Sequence, residues 1–225
     1  MEFDNKSVCD KKYEAVIFDL DGTLIDSMGV WLKIDEEFLG KRGFESSKDY
    51  AEQINARSFR DAAKYTIERF SLDDSVEDLM NEWNEMALYE YSHNIKLKNG
   101  AKEYIQALKN KNIKIGLATS CSNFLFEPLL KNNDIYDYFD VLCSTEEVAC
   151  GKEGPDIFLY TADKMNIKPE NCLVFEDILI AMKSAKKAGM DVFGVYDHFS
   201  KEQWEEIKKI ADGTIFEYSD APLMK

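Results

Sequence analysis

Two aspartates separated by one residue follow the first apolar run of the chain. Asp19 and Asp21 come directly after the residues Ala-Val-Ile-Phe at 15–18. In an extended chain, side chains two residues apart point to the same side, so both carboxylates face one way. Two carboxylates this close repel each other and need a cation or a shared proton between them. The pair therefore predicts a metal site or an acid–base site.

Three later segments carry further reactive side chains. Thr119 and Ser120 supply hydroxyls, Lys152 supplies an ammonium group, and Glu176-Asp177 supplies two more carboxylates. A hard divalent cation with oxygen ligands, Mg²⁺ in the ordinary case, would offset the repulsion among the acids. With the lysine and the hydroxyls it would suit a bound phosphoryl group. One carboxylate could attack phosphorus while another transfers protons.

Each segment also has an ordinary structural interpretation. A lone D-x-D is often a turn, a hydroxyl after a strand is often a helix cap, and acids before a helix often complement its dipole. The functional interpretation is favoured because all four segments follow apolar, β-branched runs. These runs are 15–18, 113–118, 141–143, 172–175 and 192–195.

The apolar runs predict strands that are buried on both faces, as in a parallel sheet. Most of them are separated by apolar residues at helical spacing. Strand and helix in alternation indicate an α/β, doubly wound parallel-sheet (Rossmann-like) fold, in which ligands bind beyond the carboxyl ends of the strands. The four reactive segments would meet at that edge.

The alternation is interrupted once, between the first and second runs. The intervening segment is too long for one crossover helix, and its apolar residues keep helical spacing. We predict a core domain of residues 1–27 and 97–225 with an inserted all-helical cap domain at 28–96. Lys98-Asn99-Gly100 would be the return hinge.

Composition excludes several classes of protein. The chain has 225 residues, with 28 Lys and Arg, 43 Asp and Glu, and a net charge of −15. This negative charge argues against binding to nucleic acid or to anionic membrane surfaces. The sequence shows no apolar run of membrane-span length and no signal-peptide pattern. Five cysteines lack any C-x-x-C pair, which is typical of reduced thiols and predicts a cytoplasmic protein.

The four segments, in order, resemble the motifs of the haloacid dehalogenase superfamily. Residues 19–27 (DLDGTLIDS) are similar to its D-x-D-G-T-L-x-D-S signature. The other three motifs are matched by residues 117–120, by residues 151–158 and by residues 174–177 with 188–190. The resemblance covers 13–27 and 98–215. An insertion directly after the first motif is similar to the helical-cap subfamily of phosphoglycolate phosphatase and β-phosphoglucomutase.

The resemblance implies a Mg²⁺-dependent phosphatase that acts on a small phosphorylated metabolite, such as a sugar phosphate or a similar phosphomonoester. Asp19 would be the nucleophile that forms an aspartyl-phosphate, and Asp21 would be the general acid and then the base. The implied metal ligands are Asp19, the main-chain carbonyl of Asp21, Glu176 and Asp177, and the implied phosphate-binding residues are Thr119, Ser120 and Lys152.

Three residues depart from the family pattern. Glu153 replaces the proline that usually follows the lysine of the third motif, and its carboxylate adds negative charge beside Lys152. Ile178 and Ala181 occupy positions where many relatives have serine and glycine. A hydroxyl that orients the metal ligands would be missing, so we expect weaker metal affinity.

Candidate substrate contacts are Arg57 and Arg60 in the insertion and Asn123 after the second motif. The alternatives are a solvated helix start for the two arginines and a helix cap for Asn123. Two other functions stay open, a sugar phosphomutase of the β-phosphoglucomutase type and a catalytically idle ligand-binding protein on the same fold. The expected oligomeric state is a monomer or a weak dimer.

Overall fold

The chain divides into two compact units in the computed structural model, which describes residues 12–55 and 59–222. The first unit consists of Met1–Asp26 and Ile95–Lys225, and the second is Ser27–Asn94. The cap role that the sequence suggests for the insertion stays a prediction.

The first unit is built on a six-stranded parallel sheet with the strand order β3-β2-β1-β4-β5-β6. This confirms the predicted fold class. The sixth strand was not predicted, because a three-residue strand beginning with glycine has no distinctive apolar pattern. The strands are β1 (Ala15–Phe18), β2 (Lys114–Thr119), β3 (Val141–Ser144), β4 (Cys172–Glu176), β5 (Asp191–Val195) and β6 (Gly213–Ile215).

Helices surround the sheet and make up the second unit. Among the described residues, no helix is both long enough and apolar enough to cross a bilayer. The helices are α1 (Val30–Lys41), α2 (Lys48–Asn55), α3 (Phe59–Phe70), α4 (Val76–His93), α5 (Ala101–Asn110), α6 (Asn123–Asn132), α7 (Asp156–Lys164), α8 (Leu179–Lys187) and α9 (Trp204–Ile210).

The two central strands lie side by side and are buried along their whole length. Every residue of β1 and β4 is buried, with Phe18 paired to Phe175 in register. The two rings stack with centroids 5.3 Å apart, and Tyr104 and Tyr218 pack on them. A well-packed core therefore holds the ends of both strands in place.

The second unit has its own aromatic core and two buried acids, Asp35 and Glu90. The Trp83 ring lies 5.7 Å from Phe38 and 5.6 Å from Phe59, measured between centroids. Asp35, on α1, is only 5 % exposed. Burial, with a smaller contribution from the charge of Glu36, raises the pKa of Asp35 to about 7.

Candidate active site

Three carboxylates converge at the carboxyl ends of β1 and β4. Asp19 follows β1, and its backbone amide donates a hydrogen bond to the Phe175 carbonyl (3.0 Å), which fixes the strand end against β4. Glu176 ends β4 and Asp177 follows it. Carboxylate oxygens of Asp19, Glu176 and Asp177 lie within 4.8 Å of one another, and all three residues are buried. The structure brings together the acids of two motifs that are far apart in sequence.

Lys152 joins this cluster from the loop after β3. Its ammonium group donates to Asp19 Oδ1 and to Glu176 Oε1, the latter at 3.1 Å, and its side chain is 11 % exposed. Burial alone would lower the pKa of Lys152, but the two carboxylates outweigh it and the pKa is raised. The Glu153 carboxylate accepts a hydrogen bond from the Gly151 amide (3.2 Å), so this departure from the family pattern caps its own loop.

Burial and mutual repulsion disfavour the ionised forms of Glu176 and Asp177, at the end of β4. Burial, then repulsion from Glu176 and Asp19, raises the pKa of Asp177 well above its usual value. Burial, then repulsion from Asp19, raises the pKa of Glu176, although Lys152 opposes the shift. One ammonium group faces three carboxylates, so the cluster lacks positive charge.

The loop between β1 and the insertion packs its backbone against Asp177. Gly22 has φ +80°, and the Gly22 amide donates to the Ile25 carbonyl (3.1 Å), which closes a tight turn. A Cβ at position 22 would collide with the Asp177 carboxylate. The position needs glycine for two reasons, a left-handed conformation and the absence of a side chain.

A hydroxyl reaches Asp177 from this same loop. The Thr23 side chain donates to Asp177 Oδ1 at 3.0 Å, and both residues are buried. This contact was not predicted, because many relatives have the hydroxyl of a serine at the position of Ile178. Thr23 lies within the first motif, so the motif itself contained the signal. Thr23 therefore supplies to Asp177 a hydroxyl of the kind that the sequence suggested is missing, while the weaker metal affinity stays a prediction.

The remaining predicted site residues of the first unit lie at the carboxyl ends of β1 and β2. Asp21 is half-buried and lies outside the three-carboxylate cluster. Thr119 ends β2 and is fully buried, and its hydroxyl oxygen accepts a hydrogen bond from the Cys121 amide (2.9 Å). Ser120 is exposed.

The structure gives the positions of two of the three predicted substrate contacts, and their role stays a prediction. Asn123 is exposed and is the first residue of α6, while Ser122 occupies the cap position, so the helix-cap alternative is wrong. Arg60 lies in α3 and donates to Glu77 Oε1 at 2.7 Å, with both side chains more than half exposed. Arg57 lies outside the described residues.

The cluster suits a cation with oxygen ligands. Three buried carboxylates can hold a metal ion, which would relieve the repulsion that raises the pKa values of Glu176 and Asp177. The buried ammonium of Lys152 beside them also suits an anionic ligand group. The arrangement therefore favours chemistry on a substrate that is itself negatively charged.

Comparison with known proteins agrees with this geometry. The chain is 31% identical over 183 residues to a "Phosphorylated carbohydrates phosphatase" of Thermotoga maritima, covering 81% of this chain and 85% of the relative. It is 29% identical over 202 residues to a "Beta-phosphoglucomutase" of Bacillus subtilis, covering 81% and 83%. A crystal structure of a putative beta-phosphoglucomutase from Thermotoga maritima superposes with a TM-score of 0.78 at 28% identity, covering 90% of this chain and 94% of that one.

A sequence model of one family spans most of the chain. The family is described as haloacid dehalogenase-like hydrolase, and the match covers residues 16–195. That interval includes the three clustered acids, Lys152 and the whole insertion. The chain is an enzyme that belongs to the haloacid dehalogenase-like hydrolase family.

Proposed function

We propose that the protein is a Mg²⁺-dependent phosphatase that hydrolyses a small phosphorylated metabolite, a sugar phosphate or a similar phosphomonoester, through an aspartyl-phosphate. The observation that carries this proposal is the buried cluster of Asp19, Lys152, Glu176 and Asp177. Its combination of carboxylates and one ammonium group suits phosphoryl transfer, and a relative with 31% identity is named as a phosphatase of phosphorylated carbohydrates.

The donor set fits magnesium. Mg²⁺ prefers oxygen ligands, and the cluster presents only carboxylate oxygens beside the lysine. Asp19, Glu176, Asp177 and the main-chain carbonyl of Asp21 would hold the ion. When bound, it would neutralise carboxylate charge and polarise the phosphoryl group.

The proposed reaction has two steps. In the first, an Asp19 carboxylate oxygen attacks phosphorus, the bond to the ester oxygen breaks, and protonated Asp21 gives its proton to the leaving alkoxide. In the second, the Asp21 carboxylate takes a proton from water. That water oxygen attacks phosphorus, the bond to Asp19 breaks, and inorganic phosphate leaves.

Three other residues would bind the phosphoryl oxygens. The Lys152 ammonium, already beside Asp19, would offset their negative charge. Thr119 would donate its hydroxyl proton, since the contact with the Cys121 amide uses the hydroxyl oxygen only as an acceptor. The Ser120 backbone amide would donate a further hydrogen bond.

We also propose that the insertion acts as a cap and supplies substrate contacts. Arg60 would have to leave Glu77, which is feasible because exposed ion pairs of this kind contribute little to stability. Unchanged kcat/KM for the best substrate in Arg57→Ala and Arg60→Ala would exclude both arginines as contacts. Asn123→Ala tests the third contact in the same way.

The decisive experiment measures phosphate release from sugar phosphates, nucleotides, phosphoglycolate and an aryl phosphate, with Mg²⁺ or with chelator. We expect release that requires metal and falls at least about 10³-fold in Asp19→Asn. Asp134→Asn is a matched control, because Asp134 is an exposed aspartate that pairs with the surface lysine Lys102. Release that survives in Asp19→Asn would overturn the mechanism, and no release from any substrate would overturn the phosphatase.

A sugar phosphomutase is the second candidate, favoured by the relative named Beta-phosphoglucomutase. Its phosphoryl group would return to a sugar hydroxyl instead of passing to water. Incubation with a sugar 1-phosphate separates the two functions, since a mutase yields an isomeric sugar phosphate and a phosphatase yields free phosphate. Location in the cytoplasm and a monomeric or weakly dimeric state remain predictions from the sequence.

A further inference from the structure

The loop that carries Asp21 is paired with the segment on which the chain returns from the insertion. Ile25 forms an antiparallel bridge with Leu97, the Lys98 amide donates to the Leu24 carbonyl (2.8 Å), and the Asp26 amide donates to the Lys96 carbonyl (3.2 Å). We call residues 20–26 the acid loop and residues 96–98 the return strand. The acid loop is therefore held by a two-stranded ribbon as well as by β1.

The return strand is itself fixed to the sheet by one side chain. Lys98 Nζ donates to the Tyr196 carbonyl and to Asp197 Oδ2, each at 2.9 Å, directly after β5. The Lys98 side chain is 13 % exposed and that of Asp197 is 5 % exposed. Asp197 Oδ1 accepts a second hydrogen bond from the Phe199 amide (2.9 Å), so the carboxylate has little freedom to move.

A buried ion pair is weak evidence for stability, because the desolvation of both charges offsets most of their attraction. It does specify geometry, since each charge is costly in any other position. The Lys98–Asp197 pair therefore sets where the return strand lies relative to the end of β5. The return strand in turn pairs with Ile25, and Ile25 forms a parallel bridge with Asp21. The position of the return strand therefore bears on the position of Asp21.

We propose that Lys98 is a positioning residue for Asp21, acting through the return strand and the acid loop. The inference rests on the proposed function, in which Asp21 donates the proton to the leaving alkoxide. Lys98 itself touches none of the three clustered carboxylates in the described contacts, and its side chain ends at β5.

The proposal predicts a dependence on the leaving group. An alkyl phosphate needs the proton from Asp21, whereas a nitrophenyl phosphate expels a stable phenolate without it. General acid catalysis contributes about 10²–10⁴-fold. Lys98→Met should therefore lower kcat/KM for the alkyl ester at least about tenfold more than for the aryl ester. Lys98→Arg, which keeps the charge, should recover most of the loss.

Lys186→Met is the matched control. Like Lys98, Lys186 makes two side-chain hydrogen bonds, in its case both to Asp212 (2.9 and 2.7 Å). Asp212 precedes β6, so this pair lies at the amino ends of the parallel strands, opposite the proposed site. We expect this variant to lose stability without any change in the ratio of alkyl to aryl kcat/KM. Asp197→Asn removes the other charge of the proposed pair with little change of shape, and it should show the same shifted ratio if Lys98→Met fails to fold.

Amide hydrogen exchange gives a readout that does not depend on activity. Peptides covering residues 20–26 should exchange faster in Lys98→Met than in wild type, and should be unchanged in Lys186→Met. An equal loss for both esters, or unchanged exchange in the acid loop, would overturn the role of Lys98. A wild-type protein that releases no phosphate would overturn the proposed function instead, and the exchange measurement would still decide whether Lys98 holds the loop.

Discussion

The hydroxyl of Thr23 is a buried side-chain contact that orients Asp177. It donates to one carboxylate oxygen of an acid whose pKa is raised by burial and by repulsion from its neighbours. Hydrogen bonding to the ionised form opposes both effects. Replacing the Thr23 hydroxyl by a methyl group would therefore affect both the ionisation and the orientation of Asp177, a proposed metal ligand.

We predict that Thr23→Val raises the Mg²⁺ concentration needed for half-maximal activity by about 10–100-fold, the usual effect of removing a partner of a metal ligand. Valine keeps the shape of threonine and removes the hydroxyl. The measurement is a Mg²⁺ titration followed by activity and by thermal shift. Thr23→Ser is the control and should stay near wild type. A Thr23→Val curve that overlays the wild-type curve would show that Asp177 needs no hydroxyl.

At this scale the sequence predicts types of residue better than contacts. Asp19, Lys152, Glu176 and Asp177 are recognisable because each lies at or beyond the end of an apolar run, and the structure brings them together. Thr23 was missed because its partner is distant in sequence, and only folding reveals which acid it meets. The same holds for Lys98 and its partner after β5.

At the scale of elements, the acid loop depends on one glycine. Gly22 adopts φ +80°, and any side chain there would enter the space of the Asp177 carboxylate. Gly189, after α8, has a similar φ of +85° but nothing within 4 Å of a Cβ. The two positions share the left-handed backbone and differ in their surroundings.

We therefore predict that Gly22→Ala and Gly189→Ala each lose about 1–2 kcal/mol of stability, from the left-handed backbone. Only Gly22→Ala should also lose activity, because the new methyl group displaces Asp177. Chemical denaturation and phosphate release measure the two effects separately. If Gly22→Ala keeps wild-type activity at a temperature where it is folded, the close approach to Asp177 has no catalytic role.

The elements differ in how well the sequence predicts them, for physical reasons. The central strands are predictable because a short, continuous apolar run between turn residues is typical of a strand that is buried on both faces. The short β6 pairs with β5 alone and has no such run. The return strand was not predicted, and it shares only Lys98 with the predicted hinge at 98–100, since a ribbon held by an isolated bridge leaves no periodicity in the sequence.

At the scale of the whole molecule, acidic residues outnumber basic ones, and some of the acids are buried. The net charge is −15, and the second unit buries Asp35, whose pKa is raised to about 7 by burial. In the unfolded chain this carboxyl titrates near 3.8. Between these values the folded state keeps a proton that the unfolded state has lost, so stability falls as pH rises through this window.

We predict that Asp35→Asn removes the part of the fall in folding stability with rising pH that is due to Asp35. Wild type should lose at most about 4 kcal/mol between pH 4 and pH 7 from this group, and the variant should be the more stable protein at pH 8. Denaturation followed by tryptophan fluorescence suits the test, since Trp31 and Trp83 lie in the second unit. Glu45→Gln, which removes an exposed acid of the same unit, is the control, and parallel stability curves for wild type and Asp35→Asn would contradict the prediction.

The position of β1 at the centre of the sheet has a consequence for the order in which the chain folds during synthesis. Ala15 pairs with Lys114 on one side and with Cys172 on the other, so β1 leaves the ribosome long before either partner. At about 5–20 residues per second, roughly eight to thirty seconds separate the synthesis of β1 from that of β4. The helices of the second unit are complete well before then. The nascent chain therefore carries β1 as an apolar strand with neither partner until β2 is made, and with a partner on one side only until β4 is made.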